Sequence, residues 1–125
     1  MSRRIVVVED DEKSRKLLTD VLTHQGYEVT AVSCGEDGIR AAHKGTDAVL
    51  LDIQLPGIDG FEVLAGLRKG VTATARVPIV AVTASVMDHD RRKILAAGFD
   101  AYVPKPVNIR ELLATLTRLL PNAPR

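Results

Sequence analysis

Residues 48–57 read Ala48-Val-Leu-Leu-Asp-Ile-Gln-Leu-Pro-Gly57: four apolar residues without polar alternation, then Asp52, then a Leu55-Pro-Gly57 turn. An apolar run of this kind is a strand covered on both faces. Ile5 to Val8 and Ile79 to Val82 have the same character and are rich in β-branched residues. Tyr27 to Val32 and Ala101 to Val103 alternate in part, which places them nearer the edges of the same sheet. Five strands are therefore expected.

The segments between these strands carry helical spacing and recognisable ends. Leu17, Leu18, Val21 and Leu22 put one apolar face on a first helix from about Asp11 to Gln25, with Gly26 placed to stop it. Ser33 with Glu36, and Asp59 with Glu62, have capping-box spacing for the second and third helices, which should end at Gly45 and Gly70. Ser85 can cap a fourth helix that ends at Gly98. Asn108 and Glu111 open a fifth, whose stripe is Ile109, Leu112, Leu113, Leu116, Leu119 and Leu120, closed by Pro121. Strand and helix alternate throughout, so the class is α/β: a doubly wound parallel sheet with helices on both faces. In that architecture ligands bind beyond the carboxyl ends of the strands.

With 125 residues, 46% of them hydrophobic, the chain fits one domain spanning residues 1–125, with 121–125 as a frayed tail. Seventeen basic and sixteen acidic side chains leave a net charge of +1, so no global field favours nucleic acid or an anionic membrane. Two Phe, two Tyr and no Trp supply no stacking platform for single-stranded bases. Neither a secretory leader nor a membrane span is expected, since no stretch approaches the run of about 20 apolar residues that spanning requires. Cys34 is the single cysteine, which excludes an internal disulfide and suits a reducing compartment, so the cytoplasm is the expected location. Cys34, His24, His43 and His89 lack metal-ligand spacing and read as structural or surface residues.

The chemistry concentrates where the strands end. The first strand runs into Glu9, Asp10 and Asp11, the third into Asp52, the fourth into Thr83, and the fifth through Tyr102 into Lys105. Brought to one edge, Glu9, Asp10 and Asp52 repel one another unless one protonates or a cation joins them. Mg²⁺ suits such a set, because it takes oxygen ligands and uses one or two carboxylates plus a phosphate rather than a closed protein cage. Lys105 and Thr83 add a cation and a hydroxyl suited to an anionic tetrahedral group. Asp52, ending the central strand, is the candidate nucleophile for a phosphoryl group. Singly these residues have blander readings, such as first-turn acids for Asp10, Asp11 and Glu12 or a solvated charge for Lys105. Their convergence on one edge is what argues for a site.

At these residues the chain resembles the CheY-like receiver domains of two-component response regulators. The matching pieces are Ile5-Val-Val-Val-Glu-Asp-Asp11, Leu50-Leu-Asp-Ile-Gln-Leu-Pro-Gly-Ile-Asp-Gly-Phe61, Val80-Ala-Val-Thr-Ala84 and Tyr102-Val-Pro-Lys-Pro106. The resemblance implies a flavodoxin-like sheet of order 2-1-3-4-5, phosphorylation of Asp52, and Mg²⁺, with Mn²⁺ as a substitute, held by Glu9, Asp10, Asp52 and the Gln54 backbone carbonyl. It implies that Thr83, the Ala84 backbone N–H and Lys105 contact the phosphoryl oxygens, and that Thr83 and Tyr102 form the switch. Gln54 and Ser85 would tune the acyl-phosphate lifetime, and the Lys105–Pro106 bond is often cis in such domains. Glu9 departs from the more usual Asp, which lengthens the arm to the metal.

The resemblance further implies a histidine kinase or histidine phosphotransfer protein as phosphodonor. A downstream protein would bind the face of the fourth helix, fifth strand and fifth helix, with phosphorylation-dependent homodimerisation a further option. The chain would then be a signalling module that catalyses only its own phosphorylation and dephosphorylation. Met1 as a natural start favours a stand-alone regulator over the receiver segment of a hybrid kinase. The rivals are a docking domain that ignores phosphorylation and an aspartyl-phosphate phosphohydrolase. The second needs an acid two residues beyond Asp52, where this chain has Gln54.

Overall fold

Along the chain, β1 (Arg4–Val8), α1 (Glu12–His24), β2 (Glu28–Val32), α2 (Gly35–His43) and β3 (Ala48–Asp52) are followed by α3 (Gly60–Arg68), β4 (Ile79–Thr83), α4 (Asp88–Ala97), β5 (Ala101–Pro104) and α5 (Ile109–Leu119). These elements come from a computed structural model that describes residues 3–55, 57–69, 76–84 and 88–120. All strand pairs are parallel and the order is β2-β1-β3-β4-β5, as the sequence reading expects. Pro56, Gly70, Ser85, Pro121 and the tail, to which that reading gave roles, lie outside the described residues.

Every residue of β3 and β4 is buried, because helices cover both faces of the sheet. The two-residue alternation of the strands sorts the core into two layers. Ile5, Val7, Leu50, Val80, Val82 and Val103 face Leu18 and Leu22 of α1 and Leu112 and Leu116 of α5. Val6, Val8, Val49, Leu51, Ile79 and Ala81 face Ala42 of α2, Val63, Leu64 and Leu67 of α3, and Ile94 of α4. The edge strand β2 is mostly exposed, in keeping with its partial alternation.

Local chemistry sets the helix ends. Asp59 accepts a hydrogen bond from the Glu62 N–H while Glu62 reaches back to the Asp59 N–H, completing the expected capping box of α3. Asn108 caps α5 through the Glu111 N–H, and Asp11 caps α1 through the Ser14 N–H. Gly26 follows α1 with φ of 94°, a conformation in which a side chain would be strained. The expected Ser33 box on α2 does not form: Cys34 is the N-cap and its side chain makes no capping bond. Ser33 therefore stands one residue before the cap, and Glu36 is at the second rather than the third helical position. Two apolar stripes are also narrower than expected. Leu17 is 51% exposed, and on α5 Leu112, Leu116 and Leu120 are buried whereas Ile109, Leu113 and Leu119 are only partly covered.

Candidate functional site

The parallel register carries the polar strand ends to one edge. Asp52 is the last residue of β3, opposite Val82 of β4, and Thr83, one residue further, pairs with Pro104 of β5. The Lys105 N–H donates to the Thr83 carbonyl at 2.8 Å, which places the lysine directly beyond the β5 end. On the other side the Glu9 N–H donates to Val32 of β2 at 3.0 Å, continuing β1 by one residue. Glu9, Asp52 and Thr83 are all buried, an unusual placement for two carboxylates.

Lys105 reaches both of those carboxylates. Its Nζ donates to Asp52 Oδ2 at 3.1 Å and lies 2.9 Å from Glu9 Oε1. The second contact is an ion pair whose angles do not make a hydrogen bond, so Glu9 Oε1 is a buried oxygen with no directed donor. The other oxygens are held: Asp52 Oδ1 accepts from the Gln54 N–H at 2.9 Å and Glu9 Oε2 from the Asp11 N–H at 3.2 Å. Burial alone would lower the Lys105 pKa, but the carboxylates of Glu9 and Asp52 outweigh it and hold the ammonium above its ordinary value. Asp11 differs from its neighbours in being a helix cap, and the hydrogen bond from the Ser14 N–H lowers its pKa.

Glu9, Asp10 and Asp52 each bring a carboxylate oxygen within 4.8 Å of the others, with Asp10 exposed at the mouth. Three carboxylates against one ammonium leave a net negative cluster, and Glu9 Oε1 is a buried acceptor without a directed partner. That donor set fits a hard divalent cation bound through oxygen, with room for water on the Asp10 side. Among the described residues no histidine joins the cluster, and Cys34 is a free, partly covered thiol. The Lys105–Pro106 bond is cis, as the motif suggested. Ala84 and Gln54 are exposed beside the site.

Two contacts in this region were not legible from spacing. The Arg15 guanidinium, in α1, donates to the backbone carbonyls of Glu9 and Asp10. Tyr102 is partly covered, and the Arg91 guanidinium of α4 stands over its ring, 5.3 Å from the centroid. A cation four residues into a helix opposes the macrodipole, and that local conflict was the signal available for Arg15. Nothing in the spacing of α4 marks Arg91.

Residues 5–117 match the family model described as the response regulator receiver domain. The chain belongs to this family. The receiver domain is 43% identical over 122 residues to the transcriptional regulatory protein TcrA of Mycobacterium tuberculosis, covering 97% of this chain and 47% of that protein. It thus spans about half the length of TcrA. It is 33% identical to the polar-differentiation response regulator DivK of Brucella ovis, covering 98% of this chain and 100% of DivK. Among solved structures it resembles the receiver domain of a sensor histidine kinase from Pseudomonas aeruginosa PAO1, with a TM-score of 0.88, 33% identity, and coverage of 98% of this chain and 100% of that one. That structure has a magnesium ion coordinated in its active-site cleft.

Proposed function

We propose that this receiver domain is a Mg²⁺-dependent phosphoacceptor whose nucleophile is Asp52. The observation that carries the reading is the buried Asp52 carboxylate, bonded to Lys105 and grouped with Glu9 and Asp10 at the carboxyl edge of the sheet. Glu9, Asp10, Asp52 and the Gln54 carbonyl would hold the metal. Bound there, Mg²⁺ would supply positive charge against the oxygens of the incoming phosphoryl group. The magnesium-bearing Pseudomonas relative supports this assignment.

In the transfer, an Asp52 carboxylate oxygen attacks phosphorus in line as the bond to the donor imidazole breaks. The electron pair of that P–N bond returns to the ring, which leaves as neutral imidazole when its other nitrogen already carries a proton. Lys105, released from its contact with Asp52, pairs with a phosphoryl oxygen, and Thr83 and the Ala84 N–H take the others. Lys105 already bonds Asp52, and Thr83 directly follows Val82, the β4 residue paired with Asp52, which supports these roles.

The donor is a phosphohistidine on a histidine kinase or phosphotransfer protein, and the domain acts as a signalling module. Its output runs through protein contact at the α4–β5–α5 face, where a groove of about 360 Å³ is lined by residues including Arg91, Tyr102, Pro104 and Glu111. Thr83 and Tyr102 couple the site to that groove. We place the domain in the cytoplasm with that donor. Among the described residues no helix is long and apolar enough to cross a membrane.

Intact mass after incubation with Mg²⁺ and a small acyl phosphate tests the reading. One added phosphoryl mass is expected in the wild type, absent in Asp52→Asn and in the presence of a chelator. An unmodified wild type that nonetheless binds Mg²⁺ would favour the docking domain that ignores phosphorylation.

A further inference from the structure

We infer that Arg15 is a positioning residue for the metal, holding the Glu9–Asp11 turn in the shape that brings the Glu9 and Asp10 carboxylates to the site. β1 ends at Val8 and the Glu9 N–H extends its ladder to Val32, so beyond that bond the turn bridges from the sheet to α1 without strand pairing. Its three successive carbonyls all accept hydrogen bonds from Arg15. The guanidinium Nη1 donates to Glu9 O at 3.0 Å and to Asp10 O at 3.3 Å, and the Arg15 backbone N–H donates to Asp11 O at 2.9 Å. One residue therefore grips the turn from end to end.

The side chains of the turn are fixed from the opposite direction. Glu9 Oε2 accepts from the Asp11 N–H, and the Asp11 carboxylate accepts from the Ser14 N–H. With these bonds alone the Asp10 backbone would have no tether, although Asp10 is the one exposed member of the acidic cluster. The Arg15 contacts supply it. The residue is anchored in turn by its place in α1, where the Thr19 hydroxyl donates to the Arg15 carbonyl at 2.8 Å. A cation so near a helix N-terminus works against the helix dipole, so its placement answers to the carbonyls rather than to helix stability.

Groups that hydrogen-bond behind metal ligands set ligand orientation, and their loss costs about 10- to 100-fold in metal affinity. Arg15→Ala should accordingly weaken Mg²⁺ binding about tenfold. The inference rests on Glu9 and Asp10 being metal ligands, as proposed above.

The test is Mg²⁺ titration by isothermal calorimetry on wild type, Arg15→Ala and Arg15→Lys, with melting curves in chelator and Mg²⁺ dependence of phosphorylation by a small acyl phosphate. The expected result is a weaker Mg²⁺ affinity in Arg15→Ala and a smaller loss in Arg15→Lys, whose ammonium keeps the charge but lacks the guanidinium reach. The phosphorylation rate should return to within about twofold of wild type at saturating Mg²⁺. Wild-type affinity in Arg15→Ala, or in Arg15→Lys, overturns the inference, the latter by showing that charge alone suffices. If Arg15→Ala does not fold, Arg15→Lys decides the question. No Mg²⁺ binding by the wild type sinks the phosphoacceptor reading itself, a different outcome from equal binding by all three proteins.

Discussion

Lys105 Nζ lies 3.1 Å from Asp52 Oδ2, across 53 positions of sequence, and the same ammonium is 2.9 Å from Glu9 Oε1. One cation thus serves two buried carboxylates. Lys105→Met should leave both without it and lower the metal-free melting temperature, by about 1–3 kcal/mol of stability. The same variant should gain more from Mg²⁺ than the wild type does, because the uncompensated carboxylates then favour the metal. Melting curves with chelator and with Mg²⁺ check both effects, and an unchanged metal-free melt would show that the pair contributes nothing.

The raised Lys105 pKa gives that contribution a pH signature. A lysine held above its unfolded value stabilises the fold fully below the unfolded pKa and loses that effect as pH rises through the folded one. The melting difference between wild type and Lys105→Met should therefore be constant near neutral pH and shrink only above the ordinary lysine value of 10.5. A difference that disappeared between pH 7 and 9 would contradict the assignment.

Asp10 differs from Asp52 in that it is exposed and outside the Lys105 pair. Asp10→Asn should relieve repulsion and raise the metal-free melting temperature, by an amount on the order of 1 kcal/mol because water screens the charge. It should also abolish stabilisation by millimolar Mg²⁺. Calorimetric melting of the variant in chelator and in Mg²⁺ reads both.

Gly60 opens α3 with its N–H donating to the carbonyl of Ile53, the residue that follows β3. A Cβ there would stand 2.6 Å from the Ile53 Cα, a backbone atom that cannot swing aside. Gly60→Ala should cost about 1–3 kcal/mol in stability and shift the loop that bears Gln54. Equilibrium urea unfolding gives the first, and a changed Mg²⁺ affinity the second.

Arg68 works at the opposite edge of the sheet. It donates to the Val77 and Gly98 carbonyls at 2.6 and 3.2 Å and to Asp100 Oδ2 at 2.9 Å, while that same oxygen accepts from the Ile79 N–H. Arg68→Ala should destabilise the fold by about 1–3 kcal/mol and leave Mg²⁺ affinity and phosphorylation rate unchanged. Denaturant unfolding beside a Mg²⁺ titration would separate stability from chemistry, and a matching fall in Mg²⁺ affinity would contradict that separation.

Much of this was legible in the sequence because burial on both faces leaves an unmistakable apolar run, as in Ala48 to Leu51. Asp59 and Asn108 were legible because a cap needs only its own first turn. The α2 cap was missed since Ser33 and Cys34 offer neighbouring starts and the choice is made by packing. Gly35 there lies against Val63 and Ile58, where a Cβ would come within 3 Å of both side chains. The site residues could be named one by one, yet the single ammonium shared by Glu9 and Asp52 is a product of strand order. Periodicity carries no record of Arg15 folding back on the preceding carbonyls, or of Arg91 covering Tyr102.

The strand order has a consequence for the chain during its synthesis. Glu9 and Asp52 belong to the first half of the sequence, while Thr83 and Lys105 arrive with the fourth strand and just after the fifth. A chain still emerging from the ribosome with only β1 to β3 made lacks the ammonium that pairs with both carboxylates. The bridge from Lys105 to Glu9 and Asp52 can therefore close only once β5, the last strand, has docked, so it reports that the whole sheet has assembled.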